Sequence, residues 1–352
     1  MPLEPGQRLQ AIGQGTYHVD RSRESCAWYG LYDARKVFMN YRYHDRQVYE
    51  AAQDEWIQVQ IRTLGEPDAA ASDDFATRAE LLREEGTQVL ARHLEWFPEP
   101  LDLIEYVPPV AEGNGSRPAR QPVLVMALPR GEPLSRWAPR FAGRLPWKFA
   151  VCLELLDLFD SLHREGRIAG AFGPDDFLID ENGRLTCLAG DRIILQARSL
   201  ELRPYFPPTR YPLEAAAPEV HREDGALNVR SDLFNWAALT VFLIVEQFPS
   251  PAGAPGENPP DMEPHDEALA KFAAVLEEVS IRSPHALRGL SPRLARATQP
   301  ALVAEWMKAV RWCLEPDPAH RPDSVRALRE RPGAASRPKP LRKLWRELLG
   351  GA

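Results

Sequence analysis

Apolar and polar residues alternate through Trp56-Ile-Gln-Val-Gln-Ile61, which predicts a half-buried strand. Thr16-Tyr-His-Val19 and Lys36-Val-Phe-Met-Asn-Tyr-Arg-Tyr43 are rich in aromatic and β-branched residues and read as strands too. A polar, Ala-rich stretch from Glu66 to Asp74 follows. Phe75 to Trp96 then reads as a helix, with Leu81, Leu82, Val89, Leu90 and Leu94 at near-helical spacing. Leu101-Asp-Leu-Ile-Glu-Tyr-Val107 and Pro122-Val-Leu-Val-Met-Ala-Leu128 are two further strands, with a surface loop over Ala111-Glu-Gly-Asn-Gly-Ser-Arg-Pro between them.

Beyond this point the period changes. Trp147 to Glu165 has the pattern of an amphipathic helix, and Ser231 to Gln247 is apolar nearly all round, as a buried central helix is. Ser250 to Glu263 is a Pro/Gly-rich loop, and Ala301 to Leu314 and Pro322 to Arg329 read as helices. A mostly-β part followed by a mostly-helical part predicts an α+β, two-lobed fold without internal repeats.

Composition narrows the function classes. The chain has 352 residues, 44% hydrophobic and 26% charged, ordinary values for a globular protein. Its net charge of -7 argues against a general nucleic-acid binder. Cys26, Cys152, Cys187 and Cys313 lie far apart, without the spacing of a zinc site. The N-terminus has no signal-peptide pattern, and the longest apolar run, Leu233 to Val245, is too short to span a bilayer. The expectation is a cytoplasmic protein with reduced thiols. The eight His form no HExxH, and GxSxG is absent; His163 and His320 read as local packing or capping residues.

Several motifs in series carry a resemblance. Val125-Met-Ala-Leu-Pro-Arg-Gly-Glu-Pro-Leu134 is similar to an interlobe hinge, and Leu153-Glu-Leu-Leu-Asp-Leu-Phe-Asp-Ser-Leu-His163 to the helix before a catalytic loop. Ala169-Gly-Ala-Phe-Gly-Pro-Asp-Asp-Phe-Leu-Ile-Asp180 has the rhythm of that loop. Ala217-Pro-Glu219 matches an Ala-Pro-Glu motif, Ser231-Asp-Leu-Phe-Asn-Trp236 the start of a buried central helix, and Cys313-Leu-Glu-Pro-Asp-Pro-Ala-His-Arg-Pro322 an Arg-containing turn. From about Gly15 to Arg331 the chain thus resembles the bacterial Ser/Thr (Hanks-type) protein-kinase family. The resemblance implies a lead over 1–14, a β-rich N-lobe over 15–128, a helical C-lobe over 129–332, and a linker with a C-terminal helix over 333–352.

The resemblance also implies a degraded catalytic site. Phosphoryl transfer needs a Gly-rich phosphate cover, a strand Lys with a helix Glu, metal ligands and a base. The base position holds Ala171, which neither accepts nor relays a proton. Gly173 replaces the lysine near the base, and Asp176 stands where a metal-binding Asn belongs. The Asp-Phe-Gly motif reads Ala189-Gly190-Asp191, with its Asp two places late. Two N-lobe registers compete. In one, Gly13-Gln-Gly15 is the Gly-rich loop and Lys36 the ATP lysine, with Glu50 or Glu55 as its partner. In the preferred one, Trp56 to Ile61 is the third strand, the ATP lysine becomes Gln60, and Glu85 is the helix Glu without its partner. There only Gly30 survives of the loop glycines, with Tyr32 and Arg35 replacing the others.

Glu219 is expected to pair with Arg321, and Asp232 to accept hydrogen bonds from the catalytic-loop backbone. Asp176 and Asp191 are read as solvated loop carboxylates, with a rearranged metal site as the sharper alternative. No metal or other cofactor is expected; Lys36, Glu85, Asp176 and Asp191 are the weak candidates for nucleotide contact.

After the Pro-rich linker, Leu341, Leu344, Trp345, Leu348 and Leu349 share one helical face, opposite Arg342, Lys343 and Arg346. This short basic amphipathic segment suits docking in a protein groove better than on a membrane, or folding back on its own chain. The function implied is a pseudokinase: a non-catalytic scaffold or allosteric partner of another protein. A remodelled ATP-dependent transferase or a nucleotide-sensing switch using Asp176 and Asp191 is the alternative.

Overall fold

The computed structural model describes residues 7–11, 15–25, 29–44, 47–64, 72–106, 120–141, 145–181, 183–202, 212, 214–222, 225–249, 267–276 and 300–330. The chain is α+β and divides into two compact units, Met1–Pro129 and Arg130–Ala352.

The first unit is built on one antiparallel sheet. Its strands are β1 (Arg8–Ala11), β2 (Gly15–Ser25), β3 (Tyr29–His44), β4 (Gln47–Leu64), β5 (Pro100–Tyr106) and β6 (Gln121–Ala127), in the order β1-β2-β3-β4-β6-β5. The stretch expected to be a lead therefore contains a strand, with Leu9 opposite Tyr17. One face of the sheet closes over Leu9, Ala34, Val59, Ile61, Ile104, Val123 and Val125. The alternation of β4 is thus physical: Val59 and Ile61 enter this cluster, and Gln60 and Arg62 face the other way.

Helix α1 (Ser72–Glu84) and the wider π-helical turn Glu85–Leu90 that continues it belong to this unit as well. The helical pattern expected to reach Trp96 thus ends at Leu90. Strand β6 is buried from Gln121 to Met126 because both its faces are covered. Val123 and Val125 enter the cluster, and Leu124 meets the π turn at Gly86. A Cβ on Gly86 would lie 2.8 Å from Leu124 Cδ1, so any larger residue there would force the Leu124 side chain to shift.

The second unit is mainly helical. It contains α2 (Leu134–Arg140), α3 (Leu145–Arg164), α4 (Ser199–Leu202), α5 (Val229–Val245), α6 (267–276), α7 (Pro300–Cys313) and α8 (Val325–Glu330). Short strands lie among them: β7 (Glu132–Pro133), β8 (Arg167–Ile168), β9 (Phe177–Ile179), β10 (Leu185–Cys187) and β11 (Ile194–Leu195), with β9 between β7 and β10 and β8 paired with β11. Helix α5 is buried on nearly every side, as its uniform hydrophobicity predicts. Asn228 caps it, its side-chain oxygen accepting from the Arg230 N–H at 2.8 Å. The Trp236 indole donates to the Cys152 carbonyl at 2.8 Å and ties α5 to α3. The loops expected over Ala111–Pro118 and Ser250–Glu263 lie outside the described residues. Among the described residues, no helix is long and apolar enough to cross a membrane.

Candidate functional site

The loop after β8 is held by the first turns of α5. Asp232, fully buried, accepts from the Ala169 N–H at 3.1 Å and the Gly170 N–H at 2.7 Å. Its Oδ2 is also hydrogen-bonded to His163 Nε2 at 2.8 Å. Gly170 has φ of 80°, a left-handed conformation natural for glycine. One turn further along α5, the Asn235 side chain accepts from the Phe172 N–H at 2.9 Å and donates to the Phe172 carbonyl at 2.8 Å. A third bond reaches the Ala215 carbonyl at 3.0 Å. Phe172 packs between Phe159 and Phe177, at ring distances of 5.7 and 5.3 Å. Ala171, between these two anchored positions, is a fully buried methyl group.

Asp176 closes a turn of 3-10 helix, Pro174–Asp176, by accepting the Gly173 N–H on Oδ2 at 2.6 Å. The same oxygen accepts from Arg192 at 2.6 Å. The side chains of Asp176 and Arg192 are 18% and 16% exposed. Asp176 is therefore not the solvated carboxylate that its loop sequence suggests. Burial pushes its carboxyl above the ordinary value, while Arg192 and the Gly173 N–H pull the other way and Asp191 adds to the rise. Ala189 is buried, and Asp191 sits beside it in the next turn, Gly190–Arg192. Among the described residues, no group of three or more His, Cys, Asp or Glu side chains could hold a metal ion.

Glu219 and Arg321, far apart in sequence, are brought together as a bidentate pair, with contacts of 2.6 and 3.0 Å. Ser231 Oγ donates to the same carboxylate at 2.8 Å. The guanidinium also donates to the Glu315 and Pro316 carbonyls and lies 4.8 Å from the Phe234 ring centre.

In the first unit, Glu85 does not lack a partner. It is buried at the start of the π turn and paired with Arg62 of β4, whose side chain is 5% exposed. Arg62 stands two residues beyond the buried Gln60, on the same face of the strand. The residues thus brought together are Arg62 and Glu85. Arg62 was detectable as the charged residue that directly follows the alternating run. Lys36 lies on β3, its backbone opposite Tyr17 and Ile57. Glu50 and Glu55, its possible helix partners, lie on strand β4. Gly30 pairs within the sheet, opposite Ser25 and Thr63. Leu341, Leu344, Trp345 and Leu348 lie outside the described residues.

The chain matches no protein-family model, and comparison with curated proteins finds no significant match.

Proposed function

We propose that this chain is a kinase-like protein that has given up phosphoryl transfer and acts as a non-catalytic scaffold or allosteric partner of another protein. One observation carries the reading: Asp232 and Asn235 hold the Ala169–Gly173 backbone in place around a buried Ala171. A loop organised by this many buried hydrogen bonds, with a methyl group where the transfer chemistry needs a base, keeps shape without catalysis.

Residues of each unit, taken separately, support the same reading. In a kinase-like register, Val59-Gln-Ile-Arg62 takes the place of the strand motif Val-Ala-Ile-Lys, so Arg62 rather than Gln60 stands for the lysine. Arg62 is positive but buried against Glu85. Asp176, at the metal-ligand position, is bound to a guanidinium. Any interaction surface would lie outside these residues, with the segment around Leu341, Leu344, Trp345 and Leu348 as the first candidate.

The test is thermal melting of the full chain with saturating ATP and Mg²⁺, alongside radiolabel transfer from ATP. A binder at roughly a hundred times its dissociation constant gains about 2.7 kcal/mol. The proposal expects neither a melting shift nor label transfer. A shift without transfer points to a nucleotide-sensing switch. Transfer abolished by Asp176→Ala points to a remodelled transferase, the reading that the nearness of Asp191 to Asp176 favours.

A further inference from the structure

The outer face of α3 changes character along its length. Ala150, Leu153, Asp157 and Asp160 follow one another at intervals of three, four and three positions, so they share one side of the helix. The end nearer the helix start is apolar. There Ala150 packs with the half-buried Trp147 and Leu153 in a small cluster of its own. Two rings from the end of α2 extend it: Phe141 stacks on Trp147 at 6.1 Å, and Trp137 on Phe141 at 4.7 Å. The other end is acidic and already engaged. Arg329 of α8 donates to Asp160 at 2.9 Å and also to Asp157. Helix α8 therefore lands on this face, and Asp157 lies about 10 Å along α3 from Ala150.

The sequence beyond α8 suits the apolar end in both chemistry and length. Leu341, Leu344, Trp345, Leu348 and Leu349 share one helical face. As a helix, residues 341–349 would measure about 14 Å, and Trp147 and Asp157 are about 15 Å apart along α3. The ten intervening residues, 331–340, span about 17 Å as a flexible chain and more where proline extends them. So short a helix is marginal in water and forms best against an apolar surface. We infer that residues 341–349 dock on this face of their own chain, with Leu344, Trp345 and Leu348 against Trp147, Ala150 and Leu153. The tether holds the segment near α3 at an effective concentration in roughly the millimolar range. A partner that binds the segment must first displace it, so α3 regulates access to it. That regulation rests on the scaffold reading above; the docking itself uses nothing of the loop around Ala171.

The test is limited digestion of the full chain with trypsin. Arg331, Arg337 and Lys339 each precede proline, where trypsin does not cut, so cleavage within residues 331–352 reports Arg342, Lys343 and Arg346. Cleavage there, read by mass spectrometry, follows the fraction of segment that is undocked. It should be about tenfold slower or more in the wild type than in Trp345→Ala. Leu153→Asp should release the segment as well, and Trp345→Ala, placed on the segment itself, carries the comparison should Leu153→Asp not fold. A Leu153→Cys, Leu344→Cys double variant should cross-link under mild oxidation within one chain, at monomer mass. Equal cleavage of wild type and variants overturns the inference. A cross-link at dimer mass overturns it too, since the occupant would then be a second copy. Label transfer from ATP would sink the non-catalytic reading and leave both of these readouts as they are.

Discussion

Glu219 and Arg321 meet through two parallel hydrogen bonds, of 2.6 and 3.0 Å, although 102 positions separate them in sequence. The Arg321 side chain is fully buried and its donors are spread over a carboxylate and several carbonyls. Removing either partner strands the other in a low-dielectric setting. Glu219→Gln and Arg321→Ala should each lower stability by about 3–5 kcal/mol, read from urea denaturation midpoints. Arg321→Lys should recover little, because an ammonium cannot reproduce the planar fork.

Asp232 satisfies two buried amides with one carboxylate. Asp232→Ala should cost about 1–3 kcal/mol for each amide left unpaired, and Asp232→Asn less, since its carbonyl still accepts. Equilibrium unfolding of the two variants checks the order. Equal losses would mean that the amides find other partners.

Arg62 and Glu85 offer a cleaner separation of charge from packing. Each single change, Arg62→Met or Glu85→Gln, should destabilise by about 3–5 kcal/mol, because it leaves a buried charge alone. The double variant should lose less than the sum of the two, and the difference measures their coupling. Additive losses would argue that the pair contributes nothing as a pair.

Cys152, Cys187 and Cys313 are buried thiols. Burial pushes the Cys152 thiol up to about 12 and the Cys187 thiol well above its ordinary value. Because the thiolate is the reactive form, iodoacetamide at pH 8 should leave all three unlabelled in the folded protein and label them in urea, as peptide mass spectrometry will read. The folded state holds the Cys152 and Cys187 protons more tightly than the unfolded one. The contribution of Cys152 is therefore complete below about 9 and lost as pH rises towards about 12. Labelling of Cys152 without unfolding would contradict this.

The sequence was most legible where a period was long and uniform. The alternation ending at Ile61 and the apolar run of α5 both mark real elements, because burial on one face or on all faces leaves a direct pattern. Strand β1 was illegible because its four residues carry no alternation strong enough to register alone; it exists by pairing with β2. The π turn at Glu85 was illegible for another reason. It sets Gly86 against Leu124, a relation between distant segments that no local pattern reports. The same holds for Arg192. A guanidinium sixteen positions from Asp176 becomes its partner only once a hairpin folds the two turns together, and no spacing rule reports that. Glu219 and Arg321 were named in advance by resemblance alone, since neither burial nor period links them.

Asn235 is hydrogen-bonded to Phe172 as one peptide unit is bonded to another in a sheet, through one donor and one acceptor, with a further bond to Ala215. This side chain adds three rungs to a ladder that the backbone does not provide. The loop and the central helix therefore share one fate in unfolding. The amides of Ala169, Gly170 and Phe172 should exchange with solvent deuterium only when α5 itself opens, as a single cooperative unit in a segment with little regular structure of its own.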